Sequence, residues 1–496
     1  MKRALEIMPG ALSWATLIGL LFLSWKFPFV VAVFIVLYDL FWLLKTIYLF
    51  IHLRISFVKM RKNQKINWFQ KIKEHRKEWE EIYHLVVFPM YKESHNVVRK
   101  SVLNILETNY PKEKILLVLA LEERGGEGDQ ETARKIQNEF GGNFRRLLIT
   151  THPSNIQGEM PGKGSNETWA VRQAIKEIID PLHIPYAKVM TSVFDIDTRP
   201  EKEYFGILSY NFLTVEDPQH ASYQPVPLFT NNVREVPVFA RLIGFSSSFW
   251  QFMQQGRPEQ LVTFSSHSMP LKALIEVGFW NTDIVSEDSR IFFQCYNHYN
   301  GKWKTVPLFY PVAMDSVTGG GVFDALKNLY KQQRRWAWGI ENVPFVFSRF
   351  WKNKQLPLKD KLFWSYSLID GFHSWATSSF IIFFFGFLPN VLGGADFHTT
   401  VLSYNLPQIT GIIINLSTFG IITSAFLSII LLEPQLREEK RKWYYIILYF
   451  VQWALIPVTF IFFSSIPALE SQTRMMLSGK FRLGFWRTPK ATSKEK

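Results

Sequence analysis

One cysteine, Cys295, in 496 residues excludes an internal disulfide, and it reads as a small buried hydrophobe. A phosphate loop of the form G-x-x-x-x-G-K-[ST] is also missing, which argues against a nucleotide-driven transporter. No small-residue cleavage site follows the first apolar run, and a second run comes at once. The N-terminal pair is therefore read as an anchor rather than a cleaved signal. Charge is scarce as well: 20% of residues are charged against 47% apolar, so much of the chain must lie away from water. The mean hydropathy of +0.00 is an average over apolar ends and a polar middle.

The apolar ends are of membrane length. Residues 11–25 and 29–51 read as two spans with Lys26 and Pro28 at the turn, although the first is short against the about 20 residues a bilayer needs. Residues 362–388, 408–432 and 443–466 read as three more, with Trp364, Trp443, Tyr444 and Tyr445 at their edges as interfacial anchors. Basic residues follow the second span (Arg54, Lys59, Arg61, Lys62, Lys65 and onward to Lys77), which places the middle of the chain in the cytoplasm, at the plasma (inner) membrane. The net charge of +14 is then a matter of topology and lipid headgroups, with no nucleic-acid partner. Two spans before and three after would leave the tail outside, yet the tail carries Arg474, Lys480, Arg482, Arg487 and Lys490. One C-terminal segment is expected not to cross, and 362–388 is the candidate because Asp370 and His373 interrupt it. The expected division is an anchor hairpin (1–53), a basic linker helix (54–82), a catalytic domain (83–325), interfacial helices (326–361), a membrane region (362–466) and a cytoplasmic tail (467–496).

Residues 83–345 alternate between strand-like and helix-like stretches, the pattern of an α/β sheet covered on both faces. Residues 84–89 (HLVVFP) and 115–121 (ILLVLAL) are continuous apolar runs, as buried parallel strands are, with a crossover helix over 96–108. A third strand is expected at 147–151, a helix at 166–179, and a strand at 188–194. Ligands in such sheets bind beyond the carboxyl ends of the strands. Tyr91, Glu93, Glu122, Glu123, Asp195 and Asp197 all stand at such ends.

Three motifs stand out, each with a plainer reading. Asp195-Ile196-Asp197 places two carboxylates within reach of one hard cation, Mg²⁺ or Mn²⁺; the plain reading is a solvated acidic turn. Ser286-Glu287-Asp288 opens a helical run over 290–299, where carboxylates also serve as helix caps. Gln332-Gln333-Arg334-Arg335-Trp336 lies on a helical stretch over 326–338, rich in Lys, Arg and Trp. Gln332, Arg335 and Trp336 share one face there, an indole platform for a sugar ring beside a guanidinium fork for phosphate. The plain reading is an amphipathic interfacial helix, and both readings can hold together. Gly319-Gly320-Gly321 reads as a joint before that helix, and His267 as a hydrogen-bonded loop histidine.

In this order and between membrane blocks, the motifs resemble the D-x-D, T-E-D and Q-x-x-R-W motifs of the membrane-embedded processive family-2 glycosyltransferases, the cellulose, chitin and hyaluronan synthases. Phe88-Pro-Met-Tyr-Lys-Glu-Ser94 is similar to their P-x-Y-N-E segment, with Lys92 in place of Asn. Glu122-Glu123 stands where they carry Asp-Asp, and Gly162-Lys163-Gly164-Ser165-Asn166 matches part of their G-K-x-x-x-x-N region. Phe485-Trp486-Arg487-Thr488-Pro489-Lys490 resembles the F-x-V-T-x-K gating segment of cellulose synthases, with Arg487 in place of Val.

The resemblance implies a GT-A-like, Rossmann-type cytoplasmic domain inserted between transmembrane helices. It implies an inverting, metal-dependent hexosyl transfer from a nucleotide-diphosphate sugar to a growing glycan. On it Asp288 is the general base and Asp195 and Asp197 hold the metal. Tyr91, Glu93, Glu122, Lys163 and Asp195 bind the donor, and Glu287, Gln332, Arg335 and Trp336 bind the acceptor. Phe485, Thr488 and Lys490 gate the site. The leading version is a β-polysaccharide synthase that also translocates its product. The alternatives are a single transfer to a lipid or polyprenyl-phosphate acceptor, and a catalytically inactive nucleotide-binding subunit of an export assembly.

Overall fold

The computed structural model describes residues 2–436 and 442–488. Its centre is one mixed sheet of β1 (Tyr83–Met90), β2 (Ile115–Glu122), β3 (Arg146–His152), β4 (Val189–Val193), β5 (Arg199–Pro200), β6 (Ala221–Leu228), β7 (Ser268–Pro270) and β8 (Lys304–Ala313). The spatial order is β3-β2-β1-β4-β7-β6-β8-β5. The apolar runs in β1 and β2 are unbroken because both faces of the sheet are covered. Leu85, Val87, Leu116 and Val118 point toward Val171 and Ala174 of the Lys163–Ala174 helix. Val86, Phe88, Leu117 and Leu119 point the other way, toward Val98 and Val102 of the His95–Leu106 helix. Alternate side chains of a strand take opposite faces, so each face needs its own apolar set. Each such burial contributes about 1.5–3 kcal/mol.

β1 to β4 pair in parallel, as the sequence leads one to expect. The other half differs: β7 runs antiparallel to β4 and β6, and β5 antiparallel to β8. β6 and β8 are parallel to each other, and their register slips between Gln224 and Val226. Pro225, Pro227, Pro307 and Pro311 lie in these two strands. A proline has no N–H to give the ladder, so the slip falls where pairing is weakest, and neither strand reads as one from its residues.

Among the described residues, Lys2–Lys26, Pro28–Asn63, Val401–Leu432 and Trp443–Leu477 are long and apolar enough to cross a membrane. Leu358–Phe383 and Phe385–Leu392 form a further apolar unit, bent by 48° at its break. The 36-residue helix Pro28–Asn63 is about 54 Å long at 1.5 Å per residue, well beyond a hydrocarbon core of about 30 Å. Its basic end reaches the sheet domain, where Asn63 Nδ2 donates to the carbonyls of Leu308 (3.1 Å) and Phe309 (3.2 Å). The basic stretch after the second span is therefore the same helix as far as Asn63, with a separate helix only over Trp68–His75.

Trp364 is not an interfacial anchor. It is 5% exposed and packs on Phe292, Phe293 and Tyr296, with ring centroids 5.0, 5.5 and 5.7 Å away. The Leu358–Phe383 helix is thus anchored in the core of the sheet domain through Trp364, because an aromatic ring at the end of an apolar run is equally at home in either place. A second attachment is the Val238–Gln255 helix. Its Phe249 stacks on Trp453 at 5.8 Å, and its Arg241 Nε donates to Gln452 Oε1 at 2.7 Å.

Candidate active site

The carboxyl ends of β1, β2 and β4 open onto one cleft that is partly open to solvent. Tyr91 and Glu93 follow β1, Glu122 ends β2, and Asp195 follows β4; all four line the cleft. The Lys163–Ala174 helix enters from below, held to β2 by Asn166 Nδ2, which donates to the Ala120 carbonyl at 2.7 Å. Two glycines frame its first residue. A Cβ on Gly162 would lie 2.8 Å from Phe485 Cγ, and one on Gly164 would lie 2.9 Å from the Asn281 carbonyl oxygen and 3.0 Å from Glu287 Cβ. Glycine is needed there so that the tail and Glu287 can close on either side of Lys163.

Lys163 Nζ is the centre of an acidic cluster. It lies 2.9 Å from Asp195 Oδ1, 3.4 Å from Glu167 Oε1 and 3.7 Å from Glu287 Oε1. Burial pulls the ammonium toward losing its proton, but Asp195, Glu167 and Glu287 more than reverse this, and its pKa stands well above the ordinary lysine value. The carboxylates carry the strain. Glu167 and Glu287 are almost fully buried, and burial raises both, Glu287 to about 7, with Lys163 opposing and the neighbouring carboxylates adding to the rise. Asp288 is raised too, by burial first and then by Asp195, with Lys163 opposing. Burial thus drives Glu167 and Glu287 toward their neutral acid forms beside the one ammonium. The donor set is oxygen-rich, which suits a hard divalent cation at Asp195.

Asp195 is further fixed by Ser265 Oγ, which donates to its Oδ2 at 2.6 Å. Asp197 is placed differently. It is 0% exposed, does not line the cleft, and its Oδ2 accepts the Asp315 backbone N–H at 2.7 Å. Among the described residues no group of three or more His, Cys, Asp or Glu is arranged to hold a metal ion.

The Glu287–His298 helix brings Glu287 and Asp288 into the cleft at its first turn. Ser286 does not cap this helix with its side chain. Among the described residues, Asp288 Oδ1 accepts only the N–H of the next residue, Ser289, at 2.8 Å, and Thr263 Oγ1 donates to the Asp288 carbonyl at 2.5 Å. These carboxylates are therefore not helix caps in the ordinary sense. His267 sits behind the cleft as the hydrogen-bonded loop histidine expected, its Nδ1 3.0 Å from the Phe264 carbonyl. Burial, with Lys163 nearby, holds its pKa down at about 4, so it is neutral near pH 7.

The opposite wall is the Val322–Ala337 helix, which presents Gln332, Arg335 and Trp336. Trp336 lies 5.9 Å from the Phe229 ring and 6.0 Å from the Phe264 ring, an apolar platform above the carboxylates. Arg335 Nε is buried and finds no hydrogen-bond partner among the described residues. The tail forms the roof. Phe485 packs on Gly162 and 5.4 Å from the Arg335 guanidinium, and Trp486 lies 5.2 Å from Lys331 Nζ. Arg487 Nη1 donates to the carbonyls of Tyr91 (2.7 Å) and Lys92 (2.5 Å) and lies 3.5 Å from Glu93 Oε2. Thr488 is buried and lines the cleft.

Glu123, also expected at a strand end, does not line the cleft and accepts instead from Ser154. Of the residues given a role by the resemblance, the structure gathers all but two into the cleft. Asp197 stands behind the wall, and Lys490 lies outside the described residues. Sequence reasoning missed Glu167, one helical turn after Lys163, and the pairing of Glu122 with Arg124 (2.5 Å), whose guanidinium lies 4.5 Å from the Tyr91 ring. The i,i+4 spacing of Lys163 and Glu167 was a usable signal for the first; nothing in the residues marked the second.

A mixed α/β sheet with a charged cleft at its parallel strand ends, joined to apolar helices, is the architecture of a GT-A glycosyltransferase. The model of the glycosyl transferase family group 2 matches residues 192–462, and the chain belongs to that family. No curated protein matches the sequence. Among solved structures, a mannosyltransferase from Pyrobaculum calidifontis in complex with GDP-Man and Mn²⁺ is 13% identical, over 83% of this chain and 99% of its own, at a TM-score of 0.38. S. aureus TarS 1-349 in complex with UDP-GlcNAc is 12% identical, over 76% and 91%, at a TM-score of 0.37.

Proposed function

We propose that the protein transfers a sugar, with inversion, from a nucleotide-diphosphate donor to a saccharide hydroxyl, and that it does so repeatedly to build a β-linked polymer. The observation that carries this reading is the convergence of Asp195, Lys163, Asp288, Arg335 and Trp336, from four separate segments, on one cleft. Donor and acceptor meet between two walls. Tyr91 and Glu122 take the nucleoside side, and Trp336 with Phe229 and Phe264 supports the acceptor ring. The acceptor oxygen bonds to the anomeric carbon as the bond from that carbon to phosphate breaks. The hydroxyl proton passes to Asp288, and the departing diphosphate is met by Lys163 and Arg335. Asp195, backed by Asp197, would hold Mg²⁺ or Mn²⁺, which supplies charge compensation for the leaving group.

Product export is supported by what the acceptor wall rests on. The Val322–Ala337 helix leans on the Ile466–Leu477 helix, where Glu470 accepts from Tyr330 Oη (2.6 Å) and Arg334 Nη1 (2.7 Å), and Ser471 Oγ donates to the Arg334 carbonyl (2.7 Å). A chain lengthening past Trp336 meets the apolar helices directly. The tail roofs the cleft, so it shares a side with the sheet domain. With Val401–Leu432 and Trp443–Leu477 as two crossings, the bent unit over 358–392 makes no net crossing, and the basic end of Pro28–Asn63 puts both on the cytoplasmic side.

The test is a panel of nucleotide sugars offered to the purified protein, reading nucleoside-diphosphate release and sizing the radiolabelled product by gel. Long product supports the synthase. A single added sugar on a lipid-phosphate acceptor would leave a transferase without processivity, and release from no donor at all would overturn the reading.

A further inference from the structure

The turn that leads into Asp288 is held by a carboxylate from outside both motifs. Glu341 Oε1 accepts three hydrogen bonds from it: the N–H of Val285 (3.0 Å), the N–H of Ser286 (2.9 Å) and the Ser286 hydroxyl (2.7 Å). This explains why Ser286 leaves its own helix uncapped. The other oxygen, Oε2, accepts from the Trp338 indole N–H at 3.2 Å. Trp338 follows Trp336 by two residues and begins the turn that continues the acceptor helix. Around this clamp the same two segments meet again. Arg290 Nε donates to Asn342 Oδ1 (2.6 Å), Arg290 Nη2 to the Glu341 carbonyl (2.8 Å), and Asn342 Nδ2 to Ser289 Oγ (3.0 Å). Residues on both sides of Asp288 are therefore tied to residues just beyond Trp336.

We propose that Glu341 is a positioning residue: its carboxylate sets the distance between Asp288 and the Trp336 platform, so that base and acceptor hydroxyl come into line. This rests on the reading of Asp288 as the base. Glu341 does not line the cleft, and among the described residues its hydrogen bonds run to the turn, to Arg290 and to Trp338. The donor contacts at Lys163 and Asp195 stand on other elements, so the two kinds of effect can be told apart. A misplacement of about 1 Å in a reacting geometry can cost on the order of 10²-fold in rate.

The experiment measures kcat, donor KM and nucleoside-diphosphate affinity for the full-length protein in four forms: Glu341→Ala, Glu341→Gln, Ser286→Ala and Asp288→Asn. Glu341→Ala is expected to lower kcat roughly 10- to 100-fold, with donor KM and diphosphate affinity within about twofold of the parent. Glu341→Gln keeps an oxygen that can accept the two N–H groups, so it should recover most of the lost rate. Unchanged kcat in Glu341→Ala overturns the inference. So does a fall of donor affinity in step with kcat, which would make the residue a general strut. Where Glu341→Ala fails to fold, Ser286→Ala decides, since it removes only the hydroxyl from the clamp. A fall in kcat of several-fold at constant donor KM supports the inference, and an unchanged kcat overturns it. Asp288→Asn separates the two claims. Inactive Asp288→Asn beside fully active Glu341→Ala sinks the positioning role alone; fully active Asp288→Asn sinks the base and the inference with it.

Discussion

The donor wall of the cleft stands on the ends of β1, β2 and β4, whose side chains are almost all fully buried, while the roof is a stretch of tail with little regular structure. On the donor side each charge is fixed by another: Lys163 sits among Asp195, Glu167 and Glu287, and Ser265 holds the far oxygen of Asp195. On the roof, Phe485 leans on a glycine and an arginine, and Arg487 makes two hydrogen bonds to carbonyls and a 3.5 Å contact to Glu93. A wall built on buried strands opens only with the whole domain, whereas a segment held by a few contacts opens at small cost. The fixed wall suits charge that must be in place before the reaction, and the loosely held roof suits a part that admits and releases substrate.

The sharpest way to break this contrast is on the fixed side. Asp195→Ala should abolish transfer, by more than about 10²-fold, with the protein folded, because its loss removes the carboxylate nearest Lys163 without opening the core. Excess chelator should have the same effect on the parent, reversed by Mg²⁺ or Mn²⁺. Full transfer in chelator would remove the cation from the account. Asp197→Ala is a poorer test. Its carboxylate is fully buried and accepts the Asp315 N–H, so its removal should cost about 1–3 kcal/mol of stability besides activity.

Asp288→Asn keeps shape and loses basicity, so transfer should fall on the order of 10²- to 10⁴-fold while donor binding survives. The same group sets a pH dependence. Burial, then Asp195, raise the Asp288 pKa, and the base works only as the anion, so kcat/KM should fall on acidification with its midpoint above the ordinary aspartate range. For stability the sign is opposite. A carboxyl whose folded pKa is raised favours the folded state at low pH and loses that contribution as pH rises through the folded value. Loss of rate on mild acidification should therefore come without unfolding, which circular dichroism at the same pH checks. A limb at the unperturbed value would mean that the titrating base is another group.

The roof should give a smaller effect of a different kind. Truncation before Phe485 is expected to leave a folded protein with transfer reduced roughly 10-fold or more and weakened donor affinity, as for the loss of a lid. Arg487→Val restores the residue of the gating segment and removes the hydrogen bonds to Tyr91 and Lys92. It should loosen the roof and raise donor KM a few-fold at most. If truncation leaves donor affinity and rate untouched, the roof is packing and no gate.

The contrast also sorts what could be read from the residues. β1 and β2 were legible because two covered faces leave an unbroken apolar run, and the carboxylates at their ends followed from the parallel pairing. β6 and β8 were hidden by their four prolines, which disguise a strand. The cleft residues were legible as a set, yet the inward turn of Asp197 was not, since spacing in a D-x-D triplet does not say which carboxylate faces the ligand. Trp364 misled because the same ring at the same place in an apolar run serves a protein core or a lipid boundary. Glu341 carried no signal; its importance lies in three donors brought to it from 55 and 56 residues away.

The smallest effect concerns the turn where the two regions touch. Lys92, which stands where the resembling segment carries Asn, has φ of 58°, the left-handed region. Its N–H donates to Asp129 Oδ2 at 2.8 Å and its carbonyl accepts from Arg487 Nη1, so the conformation is held from both sides. Asparagine is tolerated in this region because its short polar side chain can bond locally, whereas a lysine there bears a steric cost on the order of 1 kcal/mol. Lys92→Asn should therefore stabilise the domain slightly, by about 0.5–1 kcal/mol, read as a rise of a degree or more in Tm. Activity should change little, since Lys92 Nζ makes no contact with the carboxylate cluster around Lys163. A fall in Tm would show that the lysine side chain itself stabilises the turn, through its ammonium 5.2 Å from the Tyr91 ring. The donor wall would then depend at this point on the same residue that anchors the roof.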